Sequence, residues 1–223
     1  MGESMPDAVL FDLDGLLIDT ETCDFVAWEE LYAHHGQTLT LDEYCHNAGL
    51  YGCWDRLYDD LAMVAAVNAA DLHAWRAPRF EALVRKEMAP RPSLAALLDR
   101  LDRHGTAMGV ASSSDRDWVA RLLNGMEIRE RFRTVVTGDD VRKRKPAPDI
   151  YLLATAQVGA APERTVALED SAHGIAAARS AGLRVIAVPN RVTARQDLSH
   201  AHLRVGGLEE MTMELLESLL ARP

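Results

Sequence analysis

Ala8-Val9-Leu10-Phe11 runs directly into Asp12-Leu13-Asp14-Gly15. Four consecutive apolar residues closed by a turn former read as a strand buried on both faces, the kind found in parallel sheets. Ligands of such sheets gather outside the carboxyl ends of the strands. Asp12 and Asp14 therefore stand where chemistry is done, and their i, i+2 spacing in extended chain points both the same way. Working outward, residues 106–111, 133–136, 165–168 and 184–188 also read as buried strands. Between them Val119, Leu122, Leu123 and Met126 share one helical face, and Ile150, Leu153, Ala154 and Val158 share another. Residues 171–181 make a further helix, stopped by Gly182. The alternation predicts an α/β fold, a Rossmann-like parallel sheet with helices on both faces.

Residues from about 21 to 87 break that rhythm. Phe25, Trp28, Leu31 and Tyr32 form a helical stripe, and Leu57, Leu61 and Val64, then Trp75, Arg79 and Leu83, continue the helical pattern. The expected organisation is a catalytic core of residues 1–20 and 88–223 interrupted by an α-helical cap of residues 21–87. Pro90-Arg91-Pro92 punctuates the return to the core.

The composition narrows the functional classes. Hydrophobic residues make up 48% of 223, enough for a well-buried interior. With 24 Lys and Arg against 34 Asp and Glu, the net charge of −10 disfavours nucleic acid and anionic membrane as partners. A few cations in a cleft still suffice for a small anion. Cys23, Cys45 and Cys53 are odd in number and not in CxxC spacing, so reduced thiols and a cytoplasmic location are expected. No apolar run reaches the length of a signal peptide or a membrane span. The sequence does not fix the oligomeric state, and a monomer is compatible with it.

The residues just past the strands make one set. Asp12 and Asp14 come after the first, Ser112-Ser113-Ser114 after the second, Lys145-Pro146 after the third and a loop, and Glu169-Asp170-Ser171 after the fourth. Carboxylates, hydroxyls and an ammonium at one sheet edge suit Mg²⁺ and phosphate together. An aspartate, with an unperturbed pKa of about 3.9, is ionised at neutral pH, so Asp12 needs no base to attack phosphorus and form an aspartyl-phosphate. Mg²⁺ would offset the repulsion between carboxylate and phosphate, with Asp170 and Glu169 supplying further oxygens. Asp14 can protonate the leaving oxygen and then take a proton from water. Ser112, Ser113 and Lys145 can hold the phosphoryl oxygens, and Gly15 permits a tight exit from the strand.

These four segments resemble, in order, the four motifs of the haloacid dehalogenase superfamily: the stretch from Asp12 to Glu21, Val110 to Ser114, Lys145 to Tyr151, and Leu168 to Gly174. The resemblance implies a nucleophilic, metal-binding Asp12, an acid–base Asp14 binding metal through its carbonyl, phosphoryl contacts from Ser112 and Lys145, metal contacts from Asp170 and in some subfamilies Glu169, and a helical cap that closes over the substrate. Within the family the motifs are near those of β-phosphoglucomutase. That enzyme carries a histidine where Asp24 stands here, and a cap arginine for a distal phosphate where Gly49-Leu50-Tyr51-Gly52-Cys53 has none, with Arg56 nearby as a substitute. Both departures favour hydrolysis of a small phosphomonoester, such as a sugar phosphate, over mutase chemistry. A non-catalytic binding protein on the same fold is the remaining alternative.

Blander readings stand beside these. Ser112–Ser114 can also cap a helix over residues 115–126, and Lys145 lies in the basic run Arg142-Lys143-Arg144-Lys145. Trp28 and Leu31 read as cap core, His173 as a plain helix residue, and His34-His35 as surface. Tyr51, Trp54, Arg56, Trp75, Arg76 and Arg79 lie in the cap, where packing or exposure outweighs substrate contact.

Overall fold

The computed structural model describes residues 5–45, 54–88 and 93–221. Its centre is a six-stranded sheet in the order β3-β2-β1-β4-β5-β6, where β1 is Ala8–Phe11, β2 Ala107–Ala111, β3 Thr134–Val136, β4 Thr165–Glu169, β5 Arg184–Ala187 and β6 Leu203–Arg204. All neighbours are parallel. From β1 the chain steps outward to β2 and β3, then returns to β4 on the other side of β1, so the order reverses beside β1. That is where a doubly wound sheet opens a crevice for a ligand. Phe11 is level with Val110 on β2 and Leu168 on β4, which sets Asp12 and Glu169 side by side at the carboxyl edge.

The pleat sends alternate residues of β1 to opposite faces. Val9 and Phe11 enter the layer packed by α5 (Leu94–His104), α6 (Arg116–Gly125) and α9 (Met213–Ala221). Ala8 and Leu10 enter the layer packed by α7 (Asp149–Val158) and α8 (Ala172–Ser180). The whole strand is inaccessible to solvent. At about 1.5–3 kcal/mol for each large apolar side chain buried, it anchors the loop that leaves its carboxyl end.

Strand positions agree with the sequence reading, with Thr106, Arg133 and Val188 falling just outside. β6 was not expected: two residues carry no periodic signal. Val119, Leu122, Leu123 and Met126 are buried together, as are Ile150, Ala154 and Val158, while Leu153 is half-buried.

Between β1 and β2 lie α1 (Thr20–His34), α2 (Leu41–Cys45), α3 (Asp55–Ala65) and α4 (Ala69–Lys86). They share a core of their own that includes Phe25, Trp28, Leu31, Tyr44, Leu57, Leu61 and Leu72. Both further helical patterns fall within helices, the first in α3 and the second in α4. On α3, Leu57 and Leu61 are buried but Val64 is exposed. On α4 Leu72, Arg76 and Val84 are buried, Trp75 and Leu83 are half-buried against the neighbouring cores, and Arg79 is exposed. Trp75 faces outward enough to stack on His34, and the Arg79 guanidinium lies 3.4 Å from its ring centre. Arg76 is buried with an acidic partner, Asp24, which an apolar pattern does not register. Cys23 and Cys45 are buried free thiols. No helix among the described residues is long and apolar enough to cross a membrane. Gly49 to Cys53, Tyr51 included, and Pro90-Arg91-Pro92 lie outside the described residues.

Candidate active site

After β1 the chain makes a tight loop. The Leu13 carbonyl accepts from the amides of Leu16, Leu17 and Ile18, and the Gly15 amide donates to Ile18 O at 2.7 Å. Gly15 has φ +86°, and a Cβ there would collide with the Asp170 carboxylate and the Asn190 amide. Both the backbone angle and the lack of space require glycine.

Asp12, Lys145, Glu169 and Asp170 are all at least nine-tenths buried. Lys145 Nζ bonds Asp12 Oδ1 and, at 2.6 Å, Glu169 Oε1. Tyr151 OH donates to the same Glu169 oxygen at 2.6 Å. Asp170 Oδ2 accepts from Asn190 Nδ2 at 2.8 Å, and that same amide nitrogen contacts Gly15 O at 3.2 Å. Burial first, then the Glu169 and Asp14 charges, push Asp12 up to about 8 despite the lowering effect of Lys145. Burial, Asp12 and Glu169 likewise raise Asp170 well above the usual carboxylate range. Burial alone would lower Lys145, but the Asp12 and Glu169 carboxylates outweigh it and hold the ammonium protonated.

Oxygen atoms of Asp12, Glu169 and Asp170 come within 4.8 Å of one another. Three carboxylates against one ammonium leave two negative charges uncompensated when all are ionised. Hard oxygen donors with that deficit fit a divalent cation such as Mg²⁺.

Asp14 faces the cleft with four donors on it. Thr20 Oγ1 (3.0 Å) and Trp118 Nε1 (2.9 Å) reach Oδ1; Ser114 Oγ (2.7 Å) and Ser112 Oγ (3.4 Å) reach Oδ2. The hydroxyls can reverse and accept, whereas the indole N–H only donates. Ser112 is buried and also accepts from the Ser114 amide at 3.0 Å. Ser113 Oγ accepts from the Lys145 amide at 3.2 Å. The serines do not cap the next helix: it begins at Arg116 with Asp115 as N-cap. Within the basic run, Arg144 is turned aside to Ser113 O, Asp115 and Asp139, leaving Lys145 as its member in the cleft.

The cleft holds about 620 Å³, within the size range of small-molecule sites. Asp12, Asp14, Ser112, Ser113, Lys145 and Asp170 line it from the sheet edge, and Asp24, Trp54, His73, Arg76 and Phe80 from the inserted helices. Glu169 sits behind that wall. Arg56 does not line it: its side chain is 85% exposed on α3 and pairs with Asp60, so among the described residues it is no substitute for a cap arginine. Trp75 and Arg79 are also outside the lining.

Asn190, Tyr151 and Trp118 escaped the sequence reading. Asn190 follows the fifth strand, at the same carboxyl edge of the sheet as the other site residues. Tyr151 closes the third family-like segment but was assigned no role there, and Trp118 sits inside a helix with no local signal.

The profile of the haloacid dehalogenase-like hydrolases matches residues 9–188. The chain belongs to that family. It is thus a hydrolase, and the match spans all four clusters at the sheet edge. The fructose-1-phosphate phosphatase YqaB of Escherichia coli is 32% identical to this chain over 184 residues, 81% of this chain and 95% of that one. The β-phosphoglucomutase of Bacillus subtilis is 29% identical over 221 residues, 94% and 93% of the two chains. A crystal structure of CbbY from Rhodobacter sphaeroides in complex with xylulose-(1,5)bisphosphate superposes with a TM-score of 0.72 at 32% identity, covering 92% of this chain and 96% of that one.

Proposed function

We propose that this chain is a Mg²⁺-dependent phosphatase that hydrolyses a small phosphomonoester, a sugar phosphate, through an aspartyl-phosphate on Asp12. The observation that carries the reading is the buried contact of Lys145 with Asp12 and Glu169 at the floor of a cleft whose other wall is helical. Relatives that act on, or are bound to, sugar phosphates support the substrate class. Residues 21–87 would act as the cap, and 1–20 with 88–223 as the catalytic core.

In this mechanism Asp12 attacks phosphorus and the bond from phosphorus to the leaving oxygen breaks. Asp14 gives its proton to that oxygen, which requires at least one of its four donors to yield while it is protonated. Water then attacks phosphorus, Asp14 takes its proton, and Asp12 is released with inorganic phosphate. Lys145 holds Asp12 in place and adds positive charge beside the transferring group. Ser112 and Ser113 offer hydroxyls to its oxygens. Asp12, Glu169 and Asp170 would hold the cation, whose charge keeps Asp12 ionised and offsets its repulsion by phosphate.

Asp24 supports hydrolysis over the mutase alternative. Its carboxylate takes both Tyr44 OH and the Arg76 guanidinium, so it is engaged as a structural partner instead of poised as a proton carrier. A panel of phosphate esters assayed with Mg²⁺ and with chelator tests the proposal. Phosphate release without a bisphosphate primer, and no isomer, is the expected result. Isomer formed only with primer would favour the mutase, and no turnover on any ester would favour a non-catalytic role.

A further inference from the structure

The described residues lining the cleft include two cations, Lys145 and Arg76, against seven carboxylates. Lys145 belongs to the catalytic end. Arg76 is the cation of the cap wall, and it is 6% exposed. Its Nη2 is bound to Asp24 Oδ1, while Asp24 Oδ2 accepts from Tyr44 OH at 2.7 Å. The guanidinium lies over Trp28 at 4.3 Å from the ring centre and 5.4 Å from that of Phe80. Burial pushes it down to about 9.

A paired arginine offers N–H groups without net charge. Its Nη1 also reaches Tyr58 OH at 3.5 Å, while its Nε is buried without a partner. Residues 46–53, beyond the described residues of the cap, contain neither Lys nor Arg. Among the described residues lining this wall, a second phosphate would meet no Lys or Arg without a carboxylate partner to offset its lost hydration. A hydroxyl-bearing chain meets a better match, including the aromatic pair Phe80 and Trp118, stacked at 5.6 Å.

We propose that the Asp24–Arg76 pair restricts the substrate to a single phosphate, with the part of the molecule facing the cap uncharged and hydroxyl-bearing. This rests on the phosphate-binding role proposed for the Lys145 end of the cleft. Neutralising Arg76 in advance makes Asp24 a specificity-determining residue: it withholds a charge that a bisphosphate would need.

The test uses full-length Asp12→Asn protein with Mg²⁺, so that ligands bind without turnover, and calorimetry with inorganic phosphate, fructose 1-phosphate and fructose 1,6-bisphosphate. The two sugars share one ester and differ in the second phosphate. The bisphosphate is expected to bind about tenfold more weakly or worse, the effect of an uncompensated charge at intermediate dielectric. Adding Asp24→Asn frees the Arg76 charge and should tighten the bisphosphate about tenfold while changing the monophosphate less. Equal or tighter binding of the bisphosphate before that change overturns the proposal, as does an unaltered ratio after it. The first comparison leaves the cap untouched and stands even where the Asp24 variant does not fold. Inorganic phosphate failing to bind would overturn the catalytic reading along with it; phosphate binding with the bisphosphate preferred would overturn the role of the pair alone.

Discussion

Asp12 and Asp170 are each held from one side, Asp12 by Lys145 and Asp170 by Asn190. Asp12→Asn keeps the shape and removes the nucleophile, so steady-state phosphate release should fall by at least about a thousandfold, the scale of losing a group that acts in the bond-making step, with the fold retained by circular dichroism. Asn190→Ala should leave phosphate chemistry intact but weaken apparent Mg²⁺ affinity about 10–100-fold, as loss of an outer partner of a ligand does; titrating activity against Mg²⁺ reads it. An unchanged Mg²⁺ midpoint would remove Asn190 from the site. The charged members of the site were legible because each directly follows a strand or its loop. Asn190, Tyr151 and Trp118 were not: an amide, a phenol and an indole look like any loop or helix residue until the fold brings them to a carboxylate.

At the level of the elements, the runs after which chemistry appears were readable because β1, β2, β4 and β5 are buried on both faces and therefore almost continuously apolar. The inward turn of Arg76 on α4 was not legible, because burial of a charge depends on a partner 52 residues away. Gly15 shows how tightly the β1 loop is fitted to the loop after β4. Gly15→Ala forces a Cβ into the Asp170 carboxylate at positive φ. It should cost about 1–3 kcal/mol from backbone strain, more with the clash, and lower activity through displacement of Asp170. Denaturant unfolding of wild type and variant measures the first; a stability within error of wild type would contradict the geometry.

For the whole molecule, the excess of buried carboxylates ties stability to metal and pH. Asp12 stands at about 8 in the folded protein, above its ordinary 3.8, and Asp170 is raised as well. A carboxyl raised on folding stabilises the protein fully below its unfolded value, and that stabilisation is lost as pH rises through the folded value. The metal-free protein should therefore lose thermal stability between about pH 4 and pH 8 from these groups. Mg²⁺, which competes with their protons, should raise the melting temperature more at about pH 8.5 than at about pH 6; an equal rise at both would show that these carboxyls are not its site. Fold class and active edge were visible from the alternation of strands and helices and from the residues after them, whereas the pairing of Asp24 with Arg76 across the cap needed coordinates. The most direct test of the mechanism is to quench a reaction with a turned-over sugar phosphate in acid and map the enzyme by mass spectrometry. The expected result is one phosphoryl group on the peptide carrying Asp12, with phosphate release lost in Asp12→Asn. A phosphoryl group on a different residue, or undiminished release by Asp12→Asn, would contradict it.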